Sequence, residues 1–310
     1  MKKYPIRIVS KMTGLTVHTI RIWEKRYQAV EPHRTSTNRR LYSDQDIFRL
    51  QLLKKATEMG YSIGQVVKWN ASELEKFVTS HQLDSVSSPL TSDSSAIEKN
   101  LSFFYQQALE AIRTLNAVKL ENILLQTIVS HSLFTVLEKL IVPLLNNIGD
   151  SWQKGSIRIY HEHMMTIVIR KFLQDQLLAI RIPPTAPAIV VATPIGQQHE
   201  LGALIAAVTA ASLGWEVIYL GSNLPAEEIA AVIQEKKAQA VLLSIVYPAS
   251  DPQLKNELYR LRQMTDKNLT LLVGGRAVHS YLPTLQSVEA IIFSDFSQLL
   301  HHLNALSAER

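Results

Sequence analysis

Ala188-Ile189-Val190-Val191-Ala192-Thr193-Pro194-Ile195-Gly196-Gln197-Gln198-His199-Glu200-Leu201-Gly202 changes character part-way along. Its first five residues are small or β-branched, as a strand buried on both faces must be. Beyond it, Leu204 to Leu213 is rich in Ala, Leu and Val and reads as the helix that covers that strand. His199 falls on the loop between them. That loop lies at the carboxyl end of a parallel strand, where open α/β sheets place ligand chemistry. A loop histidine by itself is more often solvated than functional, so its surroundings decide its meaning.

Downstream the alternation continues. Strands are expected at 188–193, 215–219, 239–246, 269–273 and 288–292, separated by helices at 201–213, 226–236, 252–263, 278–286 and 296–306. Five strands alternating with helices imply a doubly wound, Rossmann-like parallel sheet over 187–310. No Gly-x-Gly-x-x-Gly follows the first strand, which argues against a dinucleotide site. The loops after the first, third and fourth strands carry instead His199, Ser244-Ile245-Val246 and Gly274-Gly275.

Upstream, Pro183, Pro184 and Pro187 cannot continue a helix and mark a boundary. Residues 96–182 are helical in pattern, with a turn expected at Asn146-Asn147-Ile148-Gly149, and form a bundle of about four helices. Trp152 reads by default as core. The group Tyr160-His161-Glu162-His163 is a surface patch or a set of metal ligands, and the residues alone favour the patch. Residues 81–95 are rich in Ser, Asp and Thr and read as a linker.

The first 80 residues hold 15 Lys+Arg against 7 Asp+Glu, a balance of +8, while the rest of the chain carries −3. A basic segment on an otherwise mildly acidic chain points to nucleic acid as its partner. Two short helices meet at Thr13-Gly14-Leu15, with Thr16 able to cap the second, Val17 to Arg26. That is a helix-turn-helix signature, and the arginine-rich stretch Arg34 to Tyr42 suits a β-hairpin wing. The absence of cysteine excludes disulfides and thiolate metal sites. No apolar run is long enough to span a bilayer and no secretory signal is visible, so a cytoplasmic protein without a membrane partner is expected. No nucleophile–base pair, Walker loop or His-Glu-x-x-His is present, and catalysis is not expected.

Thr19-Ile20-Arg21-Ile22-Trp23-Glu24-Lys25-Arg26-Tyr27, the Arg39-Arg40-Leu41-Tyr42 wing and Asp46-Ile47-x-x-Leu50 resemble the winged-helix domain of MerR-type regulators over about residues 4–75. The resemblance implies that Thr16, His18, Thr19 and Arg21 face the major groove of double-stranded operator DNA. Arg26, Tyr27, Arg39, Arg40 and Tyr42 would hold phosphates. Gly60-Tyr61-Ser62-Ile63-Gly64-Gln65-Val66 matches that family's turn into the next helix.

Gln197-x-His199-x-x-Gly202, Ser244-x-Val246 and Gly274-Gly275, in that order, resemble the cobalamin-binding Rossmann-like domain. The resemblance implies His199 as the lower cobalt ligand, with the displaced nucleotide tail entering beside Ser244 and Gly274-Gly275, where absent side chains leave room. Trp152 followed by Glu162-His163 is similar to the Trp-x(9)-Glu-His signature of cobalamin-dependent photoreceptor repressors of the CarH/LitR type. There the bundle caps adenosylcobalamin, with Trp152, Glu162 and His163 placed around the adenosyl group. Implied further are a DNA-bound homo-oligomer (dimer or tetramer) in the dark, release by light, and carotenoid or photoprotection genes as targets. The chain departs from that pattern twice. Gln197 stands where a carboxylate is usual, and Gln153 where a histidine becomes the upper ligand after illumination. Two other readings stay open: a MerR-type regulator sensing another tetrapyrrole or none, and a corrinoid methyl carrier, which would have no use for a basic winged helix.

Overall fold

The computed structural model describes residues 3–35, 39–58, 61, 63–83, 94–153, 157–247 and 251–308. The chain divides into two compact units, Met1–Arg181 and Ile182–Arg310.

In the second unit, strand β4 (Ala188–Pro194) is buried at every position, which accounts for its unbroken apolar run. It pairs in parallel with β5 (Glu216–Leu224) on one side and β6 (Ala240–Ser244) on the other. Strands β7 (Thr270–Gly274) and β8 (Ile291–Phe293) complete a five-stranded parallel sheet in the order β5-β4-β6-β7-β8. The chain leaves β4 for one edge and returns on the other side, so the topological switch point lies between β4 and β6. Helix α11 (Leu201–Ser212) is buried without a break from Ala203 to Ala211, its small residues allowing close approach to the sheet.

Two strands differ from expectation. Strand β5 runs on to Leu224 because the β4–β5 register slips between Val191 and Ala192, bringing Gly221 opposite Ala192. The last strand starts at Ile291 because Val288 is still closing the preceding helix, its N–H donating to the Thr284 carbonyl at 3.1 Å.

In the first unit, β1 (Lys3–Pro5), β2 (His33–Arg34) and β3 (Arg40–Ser43) form an antiparallel sheet in the order β1-β3-β2. Around it pack α1 (Ile6–Thr13), α2 (Val17–Tyr27), α3 (Asp44–Glu58), α4 (Ile63–Val66) and α5 (Ala71–Leu83). The bundle follows: α6 (Ser94–Arg113), α7 (Ala117–Ser130), α8 (Leu133–Val136), α9 (Val142–Gln153) and α10 (Ile159–Ala179). The turn expected at Asn146–Gly149 is instead helix, because Leu144 and Ile148 continue the buried stripe one turn apart. The irregularity falls earlier. A π-turn over Leu137–Ile141 precedes Pro143, which has no N–H to return to the preceding turn. The expected linker lies largely outside the described residues, between the end of α5 and the start of α6. Among the described residues no helix is long and apolar enough to cross a membrane.

Candidate cofactor site and nucleic-acid surface

The loop from Thr193 to Glu200 is held by all three strands at the switch point. Thr193 Oγ1 donates to the Gln197 carbonyl and accepts from the Asn223 N–H at 3.0 Å. Asn223 takes up a left-handed backbone (φ 64°), and its Oδ1 accepts from the Gly196 N–H at 2.8 Å. Gln197 is fully buried, and its Oε1 accepts from the backbone N–H groups of Val246 (2.8 Å) and Tyr247 (3.1 Å) at the end of β6. Its Nε2 is buried with no hydrogen-bond partner. A buried donor left unmet costs about 1–3 kcal/mol. His199, two residues on, is exposed on the rim, and the neighbouring Glu200 carboxylate accepts from the Tyr219 hydroxyl at 2.9 Å.

The glycines around the rim have structural reasons. A Cβ at Gly202, in the first turn of α11, would stand 2.9 Å from Ser244 Oγ. Ser244 is buried and pairs with Gly274 across β6 and β7. A Cβ at Gly274 would fall 2.1 Å from the Phe293 ring. Gly275 has φ +115°, and a Cβ there would fall 2.2 Å from the Ile245 carbonyl oxygen. The space that a Cβ would take at Gly274 and at Gly275 is filled by the chain's own atoms. A ligand tail following that route requires the Phe293 ring to move.

Sequence pattern brought Gln197, His199, Gly202, Ser244, Val246, Gly274 and Gly275 to this end of the sheet, and the structure gathers them there. Thr193, Asn223 and Tyr219 were missed. Each acts through a hydrogen bond to a residue far along the chain, and no local pattern announces it.

In the first unit, Trp152 is 49% exposed at the end of α9, which corrects its reading as core. Glu162 and His163 share the first turn of α10, with Glu162 Oε2 3.8 Å from His163 Nε2 and Glu162 Oε1 accepting from the Thr166 hydroxyl at 3.3 Å. Ile159, Tyr160 and Ile167 add exposed apolar area to the same helix. No cluster of three or more metal-ligating side chains exists among the described residues.

On helix α2, His18, Arg21 and Arg26 are exposed, Arg26 stacking over the Tyr27 ring at 5.7 Å. Partial burial of its ring and, after it, the nearby Arg21 charge lower the His18 pKa, against an opposing pull from Glu121. Thr16 and Thr19 do other work. The Thr16 hydroxyl caps the helix, accepting from the Thr19 N–H at 3.0 Å, and Thr19 itself is buried. Two residues expected at phosphates also meet a carboxylate within the domain. Arg40 Nε donates to both carboxylate oxygens of Glu24, which raises its pKa, and the buried Tyr42 hydroxyl donates to the same carboxylate at 3.0 Å. Burial and Glu24 push the Tyr42 pKa upward. The tyrosine is thus a strut between wing and helix. Arg39 is exposed on the wing, and Ser36–Asn38 at its tip lie outside the described residues.

The face of α2 that carries Trp23 meets the bundle. Trp23 is 1% exposed, and its indole N–H donates to the Val129 carbonyl of α7 at 2.9 Å. The Tyr27 and Ser130 hydroxyls are 3.3 Å apart, and Val129 belongs to the same apolar core as Val9, Ile20 and Leu50.

Residues 4–72 match the MerR HTH family of regulatory proteins, and residues 105–174 and 187–293 match two B12 binding domain families. The chain is 25% identical over 292 residues to the HTH-type transcriptional repressor CarH of Myxococcus xanthus, covering 94% of this chain and 95% of that protein. It is 24% identical to the repressor CarA of the same organism, over 92% of this chain and 91% of that one. The monomethylamine corrinoid protein of Methanosarcina barkeri superposes with a TM-score of 0.54 at 13% identity, over 66% of this chain and 99% of that one, a likeness of fold. The chain joins a domain matching the MerR HTH regulatory family to two domains matching the B12 binding families.

Proposed function

We propose that the protein is a repressor that binds operator DNA as a homo-oligomer when loaded with adenosylcobalamin and releases it on illumination, its targets being carotenoid or photoprotection genes. The observation that carries the corrinoid part is the rim at the switch point. There an exposed imidazole, a buried amide with an unmet donor and the Gly202–Ser244 close approach converge on one loop cluster. These residues fit a flat ligand edged with carbonyl groups. His199 stands where the cobalamin-binding pattern carries its lower cobalt ligand, and Gln197, Gly202, Ser244, Val246, Gly274 and Gly275 shape its surroundings. When bound, the cofactor supplies a light-labile cobalt–carbon bond. The chain's own part is to bind, orient and exclude water. Trp152 at the end of α9, and Glu162 with His163 in the first turn of α10, supply the aromatic and polar side chains that suit the adenine and ribose of an adenosyl ligand.

The test is reconstitution in the dark with adenosylcobalamin, followed by gel filtration and DNA binding to the regulator's own upstream region before and after green light. Loss of the larger species together with loss of DNA binding on illumination is expected. Equal DNA binding in light and dark overturns the light response. Failure to retain the pigment overturns the cofactor reading and favours a regulator that works without cobalamin, a reading to which the Phe293 ring beside Gly274 lends support.

A further inference from the structure

The orientation of the Gln197 amide follows from its neighbours. Both groups it meets, the N–H of Val246 at 2.8 Å and of Tyr247 at 3.1 Å, are donors, so the oxygen must face them. A carbonyl oxygen has two lone pairs, and both are taken. What remains is the NH2 end, which can only donate and which is buried without a partner. An imidazole that binds a metal through one nitrogen needs its other nitrogen protonated and donating to an acceptor, which fixes the tautomer and raises the basicity of the ligating atom. Gln197, two residues before His199, has no acceptor left to offer. A carboxylate in its place would receive the same two N–H groups on one oxygen and keep the second for the ring.

Resting on the corrinoid reading above, we propose that Gln197 is the residue that decides axial ligation in this protein. Its free N–H groups hold an acceptor of the bound corrinoid, a carboxamide or phosphate oxygen, and His199, given no acceptor by Gln197, stays off the cobalt.

The experiment is electron paramagnetic resonance of cob(II)alamin bound to full-length protein carrying 15N-labelled histidine. A histidine nitrogen on cobalt splits each cobalt line into a doublet, the cofactor's own 14N base into a triplet, and water leaves it unsplit. The native protein is expected to show no doublet, and His199→Ala to leave its spectrum unchanged. Gln197→Glu is expected to produce the doublet, and Gln197→Glu combined with His199→Ala to lose it again. A doublet in the native protein overturns the proposal whether or not either variant folds. So does a Gln197→Glu protein that folds, keeps its pigment and shows no doublet. Protein that elutes free of cobalamin overturns the corrinoid reading itself, and the proposal with it.

Discussion

Arg40 Nε lies 2.8 Å from each oxygen of the Glu24 carboxylate, and the Tyr42 hydroxyl donates to one of those oxygens at 3.0 Å. One carboxylate on helix α2 thereby holds two residues of the strand that leads from the wing. Hydrogen bonds to a charged group contribute about 1.5–3 kcal/mol each where solvent is excluded. Glu24→Gln is expected to lower the melting temperature more than Tyr42→Phe, because the amide weakens both contacts. Equal melting temperatures for the two variants would count against the clasp.

Arg21 and Arg26 point outward and take no part in that clasp. Removing a side chain that neutralises one phosphate should reduce the slope of log affinity against log salt by about one. Arg21→Ala and Arg26→Ala should weaken DNA binding with an unchanged melting curve, whereas Arg40→Ala should alter both. Titration of DNA at several salt concentrations, beside thermal melts, separates the two groups of arginines.

Gly274 is held small by a ring rather than by a ligand. Gly274→Ala should cost about 1–3 kcal/mol through overpacking against Phe293. Pairing it with Phe293→Leu should recover part of that loss. If the two substitutions are additive in a double-mutant cycle, Phe293 is not what restricts position 274.

His131 is buried at the end of α7 with Nδ1 3.3 Å from the Thr127 carbonyl, and burial lowers its pKa below the ordinary 6.5. The unfolded chain then binds a proton that the folded one resists. The stabilisation is complete above 6.5 and is lost as the pH falls toward the folded value. Melting temperature should drop between about pH 7.5 and about pH 5.5. His131→Phe should flatten that slope, and an unaltered slope assigns the acid sensitivity elsewhere.

Much of this architecture is legible in the sequence, for reasons specific to each part. Strand β4 is readable because burial on both faces leaves no polar position to confuse its pattern. The end of β5 is not, since a register slip against Ala192 prolongs it. Asn146–Gly149 carries turn residues yet stays helical, because a buried stripe outweighs local preference. At the site, the spacing of His199, Ser244 and Gly274 marks the rim. The Glu24 clasp escapes sequence reading because its partners lie 16 and 18 residues away and look like phosphate ligands. The position of Gln197 is visible in the sequence, but the direction in which its amide points depends on two backbone groups about fifty residues on.

The bond from the Trp23 indole to the Val129 carbonyl ties helix α2 to the main chain of α7. Replacing the Val129 side chain does not remove the acceptor; the bond is lost with the Trp23 indole or when α2 and α7 move apart. A displacement of the bundle is thereby felt at α2 directly, without travelling along residues 84–93.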